Sequence, residues 1–99
     1  MEIRRTEQFT RWLIDLKDRQ GRARILTRVD RLEEGNPGNW RSVGSGVLEL
    51  KIDFGPGYRV YYVQRGAALL VLLCGGDKST QVRDIELAKA LAAELEEEE

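Results

Sequence analysis

The sequence predicts an α+β domain in which an N-terminal helical hairpin packs on a small antiparallel sheet and a C-terminal helix closes the structure. Three observations carry this. Apolar residues recur at helical spacing through the first third of the chain, and the period falls to two over residues 48–64. An aliphatic strand and a last amphipathic stretch then follow. With 99 residues and 41% hydrophobic composition, the chain has room for one core, so residues 1–99 are read as one domain.

Ile3, between Glu2 and Arg4, is expected in a short edge strand. Thr6 suits a helix N-cap, and Glu7 in the first turn complements the helix dipole. Phe9, Trp12, Leu13 and Leu16 then follow at i, i+3, i+4, i+7, which marks an amphipathic helix; Gly21 is expected to break it. Ile25, Val29 and Leu32 form the buried face of a second helix, with Arg24, Arg28 and Arg31 as a basic stripe on another. Gly35-Asn36-Pro37-Gly38 ends that helix. Trp40 falls in a loop rich in Gly and Ser, where a core plug is expected.

Leu48, Leu50, Ile52 and Phe54 alternate with Glu49, Lys51 and Asp53, so one strand face is expected buried and the other wet. Gly55-Pro56-Gly57 is a turn, and Tyr58 to Gln64 the returning strand. Folding about Pro56 sets Phe54 opposite Tyr58, Ile52 opposite Val60 and Leu50 opposite Tyr62, with Asp53 facing Arg59 and Lys51 facing Tyr61. A one-residue slip would mix the two faces. Arg65-Gly66 makes a second turn into the aliphatic run Ala67–Cys74, a strand covered on both sides. Ser79 or Thr80 is expected to cap the last helix, whose Ile85, Ala88, Leu91, Ala92 and Leu95 share a face. Residues 95–99 are expected to fray as an acidic tail.

Composition restricts the chemistry. There is no His, which excludes a Ser-His-Asp triad, His metal ligands and His acid–base catalysis. The single Cys, Cys74, allows no internal disulfide or Cys-cluster zinc site and reads as a buried thiol. No metal or cofactor is expected. The longest apolar run is too short to span a bilayer and the N-terminus lacks a signal-peptide core, so a cytoplasmic location is expected. Net charge is −1, but residues 1–65 hold 13 Lys and Arg against 9 Asp and Glu, while residues 66–99 hold 3 against 8. A basic body with an acidic end suits a polyanion-binding surface, or an ordinary salt-bridged one.

Gly75-Gly76-Asp77-Lys78-Ser79-Thr80 is not a nucleotide-binding P-loop, because Leu72 and Asp77 stand where its two glycines must be. Lys78 at a helix start can still hold a single phosphate. Lys51, Arg59 and Tyr61 share the wet face of the hairpin. A Lys among other cations is a candidate general base, an Arg fork stabilises phosphate charge, and a Tyr stacks on a base or holds a ribose oxygen. Together they could cleave RNA through its own 2′-hydroxyl. The same residues also read as a cross-strand ladder in which Asp53 pairs with Arg59 and Lys51 covers the Tyr61 ring. The Arg24, Arg28, Arg31 stripe suits either nucleic-acid backbone or a solvated helix face.

The blocks Gly46-Val47-Leu48-Glu49-Leu50-Lys51-Ile52, Gly55-Pro56-Gly57-Tyr58-Arg59-Val60-Tyr61-Tyr62 and Leu72-Leu73-Cys74-Gly75-Gly76-Asp77-Lys78-Ser79-Thr80-Gln81, followed by Asp84-Ile85 and Ala88, resemble the RelE/ParE toxin superfamily. The likeness is greatest to its HigB-like addiction-module killer branch. The resemblance implies a RelE-like fold and the toxin of a type II toxin–antitoxin system, a ribosome-dependent mRNA endoribonuclease that works without metal. It implies Lys51, Arg59 and Lys78 as catalytic residues on an open sheet face, with Tyr61 and Gln81 near the substrate. It also implies a helix-turn-helix antitoxin from an adjacent gene, expected to contact the helical hairpin at Arg24 and Arg28. A ParE-like gyrase inhibitor of the same fold, or a non-enzymatic antitoxin-binding module, remains the alternative.

Overall fold

Thr6 separates the first two elements, and its hydroxyl accepts a hydrogen bond from the Phe9 N–H at 3.1 Å, satisfying a free donor of the helix start. The computed structural model describes residues 1–98. In chain order it contains β1 (Glu2–Arg5), α1 (Glu7–Asp15), α2 (Arg19–Glu33), β2 (Trp40–Gly44), β3 (Val47–Ile52), β4 (Tyr58–Arg65) and β5 (Leu69–Asp77). A short 3-10 turn (Lys78–Thr80) then leads into α3 (Gln81–Glu98). The five strands form one sheet in the order β1-β5-β4-β3-β2. The α+β class, the helical hairpin and the closing helix are as the sequence predicts.

Alternation along the strands builds two cores. Leu50, Ile52, Tyr58, Val60, Tyr62, Leu70 and Leu72 face the hairpin and pack with Phe9, Leu13, Ile25, Val29 and Leu32. Val47, Tyr61, Val63, Val71 and Leu73 point the other way, onto Ala88, Leu91 and Ala92 of α3. The aliphatic β5 is buried on both sides, as its unbroken run requires.

Several expectations need correction. The sheet is mixed, because β1 pairs parallel to β5, Glu2 with Leu69 through Arg5 with Leu72. Trp40 is no core plug: it starts β2, an edge strand pairing antiparallel to β3, and is 48% exposed. Gly21 breaks nothing. The first helix closes earlier, and Asp18 caps α2 by accepting from the Gly21 N–H at 2.9 Å. Gly21 sits in that first turn because a Cβ there would strike the Tyr58 ring and the Asp18 carboxylate.

The β3–β4 register differs by two residues from the expected one. Ile52 faces Tyr58, Lys51 faces Arg59, Leu50 faces Val60 and Glu49 faces Tyr61. Phe54 and Asp53 are drawn into the turn, where the Gly57 N–H donates to the Phe54 carbonyl at 3.0 Å and Gly55 and Gly57 take positive φ. A two-residue slip leaves every side chain on its original face, so alternation could not detect it. Asp77 caps the 3-10 turn that leads into α3 by accepting from the Ser79 N–H at 2.8 Å, and Thr80 completes the capping box by accepting from the Asp77 N–H at 3.3 Å. Residues 95–98, read from the sequence as part of an acidic tail, lie within α3, with Leu95 packed on the second core; Glu99 lies outside the described residues.

Candidate functional site

The face expected to be open is covered. α3 lies across the side of the sheet that carries Glu49, Arg59 and Tyr61, and it leaves Glu49 and Tyr61 at 0% exposure and Arg59 at 5%. What remains accessible is the end of that face, beside the β3–β4 turn. There a cavity of about 330 Å³ is lined by Asn39, Lys51, Asp53, Gly55, Pro56, Gly57, Arg59 and Lys78. Lys51 reaches it from β3, Arg59 from the facing position of β4 and Lys78 from the 3-10 turn after β5. The three cations taken from the sequence as catalytic therefore meet, despite the corrected register.

They are held differently. Arg59 is locked in place. Its Nη1 donates to the Gly57 carbonyl at 2.8 Å and the Tyr58 carbonyl at 3.3 Å. Its Nε lies 3.9 Å from Glu49 Oε1 and is buried without a hydrogen-bond partner among the described residues. Lys51 and Lys78 are exposed, and neither side chain makes a hydrogen bond or ion pair among the described residues. A fixed guanidinium that lines one cavity with two exposed ammonium groups has the chemistry to receive an anion.

Tyr61 and Gln81, expected near the substrate, do not line the cavity. Both serve Glu49, a residue that strand alternation alone puts on a wet face. The Tyr61 hydroxyl donates to Glu49 Oε2 at 2.9 Å, the Gln81 amide to the same oxygen at 2.9 Å, and Arg41 Nε to Oε1 at 2.8 Å. Burial raises the pKa of the Glu49 carboxyl, but the bonds from Arg41, Gln81 and Tyr61 outweigh it and hold it below its ordinary value. Burial, reinforced by Glu49, pushes the Tyr61 phenol far above its own. This network joins β2, β3, β4 and α3. Asp84 forms a second buried polar knot, accepting from the Thr80 hydroxyl. The only sequence signal for either was a charged residue inside a stretch otherwise patterned as strand or helix.

The two arginines expected at a partner surface are occupied with this chain's own residues. Arg28 donates to the carbonyls of Lys51 at 2.6 Å, Pro37 at 3.0 Å and Asn39 at 3.2 Å, tying α2 to the strand that carries Lys51. Burial, then the neighbouring Arg31, lowers its pKa. Arg24 lies 4.8 Å over the Phe54 ring, a cation–π contact at the β3–β4 turn. Cys74 is buried, and burial pushes its thiol up to about 12, as suits a packing residue. No helix is long and apolar enough to cross a membrane among the described residues.

Comparison with known proteins places the chain among relatives. It is 50% identical over 95 residues to an uncharacterized protein of Haemophilus influenzae, covering 96% of each chain. No solved structure matches it. Residues 11–94 match the family model of phage-derived Gp49-like proteins, a span that holds α2, the β2–β5 strands, the whole candidate cavity and most of α3. On that match the chain belongs to the Gp49-like family of phage-derived proteins.

Proposed function

We propose that this protein is the toxin of a type II toxin–antitoxin pair, an endoribonuclease that cuts mRNA on the ribosome. The observation that carries the reading is the convergence of Lys51, Arg59 and Lys78 on one open cavity. Segments far apart in the chain bring them together, and neither lysine is paired with an acid among the described residues.

Each cation has a role in moving a phosphodiester to its 2′,3′-cyclic phosphate. Arg59, already fixed, stabilises the charge that grows on the non-bridging oxygens of the pentacoordinate phosphate. Lys51, directly across the ladder, holds the phosphate from the β3 side. Lys78 donates a proton to the leaving 5′-oxygen. Preorganised charge of this kind contributes on the order of 10²–10³ in rate per donor. The three cations supply the positive charge that a metal ion provides in other phosphoryl-transfer sites, so no metal is required. Products are a 2′,3′-cyclic phosphate and a 5′-hydroxyl.

The partner in this reading is a helix-turn-helix antitoxin from an adjacent gene. It seats on the helical hairpin near Arg24 and bars entry to the ribosome by its bulk. Induced expression without that partner tests the function. Protein synthesis should stop before DNA synthesis, and Lys51→Ala with Lys78→Ala should relieve toxicity. DNA synthesis failing first would move the reading to gyrase. Undiminished toxicity of the double variant would reduce the cavity to a binding surface.

A further inference from the structure

Transfer of a phosphate to its own 2′-oxygen needs a group to accept the 2′-hydroxyl proton, and none of the three cations does this readily. An ammonium or a guanidinium is a donor and not an acceptor, and the chain has no His. A carboxylate, or a water held by one, is the readier acceptor. Most nearby carboxylates are committed. Glu49 is fully buried, with its oxygens taken by Arg41, Tyr61 and Gln81. Asp77 caps the turn before α3 through Ser79. Asp18 caps α2 and accepts from Tyr58 at 2.8 Å. Asp84 is buried on Thr80.

Asp53 is different. It is the one acidic residue lining the cavity of Lys51, Arg59 and Lys78. It is exposed, and its side chain makes no hydrogen bond or ion pair among the described residues. In the register that alternation suggested, Asp53 would have been spent on Arg59. The observed register gives Arg59 to Lys51 as its ladder partner and releases Asp53 into the turn at the cavity edge.

We propose that Asp53 is the general base of the cleavage, an inference that rests on the ribonuclease reading above. Its carboxylate takes the 2′-hydroxyl proton while the 2′-oxygen lone pair forms the new bond to phosphorus. The bond from phosphorus to the 5′-oxygen breaks, its electron pair stays on that oxygen, and Lys78 supplies the proton that neutralises it. Solvent then deprotonates Asp53 and reprotonates Lys78.

The test is single-turnover cleavage on ribosomes programmed with mRNA, followed from acid to neutral pH with the full-length protein. Asp53→Asn should slow cleavage by about 10²–10⁴-fold, the usual reach of a positioned base, and should abolish the rise of rate with pH on the acid side. Asp53→Glu should keep that rise at a reduced rate. Lys78→Ala should be slow but keep the rise as well. Circular dichroism of Asp53→Asn should match the parent, because the side chain makes no hydrogen bond or ion pair among the described residues. An Asp53→Asn rate within a few-fold of the parent, or a slow rate with the acid-side rise intact, overturns the assignment and leaves the ribonuclease reading standing. A parent protein that cuts no RNA on the ribosome takes both down together.

Discussion

The two faces of the sheet are built on different principles. The hairpin face is an apolar core of Phe9, Leu13, Ile25, Leu50, Val60 and Leu72 with the buried Tyr58 and Tyr62 among its members. The α3 face has a comparable apolar layer in Val47, Val63, Leu73 and Ala88, but it also buries Glu49, Arg59 and Asp84. An apolar core tolerates small shifts so long as volume is filled. A buried charge network tolerates none, since each oxygen and nitrogen must keep its partner. The candidate site opens from the polar face, where Arg59 is held in one orientation by two carbonyls and a carboxylate.

The sharpest way to separate the faces is to remove one large side chain from each. Phe9→Ala opens a hole in the hairpin core and should cost about 3–5 kcal/mol. Glu49→Ala strands the Arg59 charge, the Tyr61 hydroxyl and the Gln81 amide, and should cost a similar amount, about 3–5 kcal/mol. The two will part on acidification. The Glu49 carboxyl lies below its ordinary value in the fold, so its contribution is fully present above the unfolded value and disappears as pH falls through the folded one. Urea denaturation should therefore find the Glu49→Ala deficit shrinking in acid and the Phe9→Ala deficit little changed. Equal deficits at every pH would mean that Glu49 acts by packing alone.

Gly75 and Gly76 test the same division within two residues. Adjacent strand positions face opposite sides. A Cβ on Gly75 would meet the Trp12 ring on the hairpin side, whereas one on Gly76 would meet the Asp84 carboxylate and Thr80 under α3. Each Ala substitution should cost about 1–3 kcal/mol by overpacking. Trimming Trp12 to Leu should recover part of the Gly75→Ala loss and none of the Gly76→Ala loss, a coupling that double-mutant thermal melts would measure.

A smaller effect belongs to the tyrosines. Tyr58 is buried and donates to Asp18, which pushes its phenol up to about 12, and Tyr61 is shifted further by burial and Glu49. Both shifts favour the neutral phenol, so their stabilisation is complete below the unfolded value near 10 and is lost as pH rises through the folded ones. Loss of one hydroxyl bond, in Tyr58→Phe, should cost about 1 kcal/mol at neutral pH. Ultraviolet titration should show these two phenols ionising only as the fold opens.

The same contrast explains what could be read from the sequence. The helix spacing of Phe9 to Leu16, the stop at Gly35 and the aliphatic β5 depend on local period and apolar burial, which one chain displays directly. Convergence of Lys51, Arg59 and Lys78 was legible because face and strand end survive a two-residue slip. Register was not, since the turn around Pro56 sets it through the Gly57 to Phe54 hydrogen bond. Glu49 and Tyr61 were misplaced for a further reason. A polar residue that alternates with apolar ones reads as wet, and only a helix arriving from 30 residues later turns that surface into interior. Parallel pairing of β1 with β5 likewise depends on a distant partner that local pattern does not name.

The smallest expected effect separates site from scaffold. Lys51 is exposed and bonds through its side chain to nothing among the described residues, so Lys51→Ala should move stability by no more than about 0.5 kcal/mol. Its backbone carbonyl still accepts from Arg28 at 2.6 Å, so the strand stays where it was. On the proposed function, ribosomal cleavage by this variant should fall, while its affinity for the proposed antitoxin in titration calorimetry should match the parent's. Arg28 behaves oppositely. Reversal to Glu removes the bonds to the Lys51, Pro37 and Asn39 carbonyls, so weakened antitoxin binding by Arg28→Glu would report a disturbed fold as much as a lost contact. Arg24→Glu is the cleaner probe, because it surrenders one exposed cation–π contact with Phe54. If Arg24→Glu binds antitoxin as the parent does and Lys51→Ala loses most of its affinity, the antitoxin covers the cavity itself and the hairpin is scaffold.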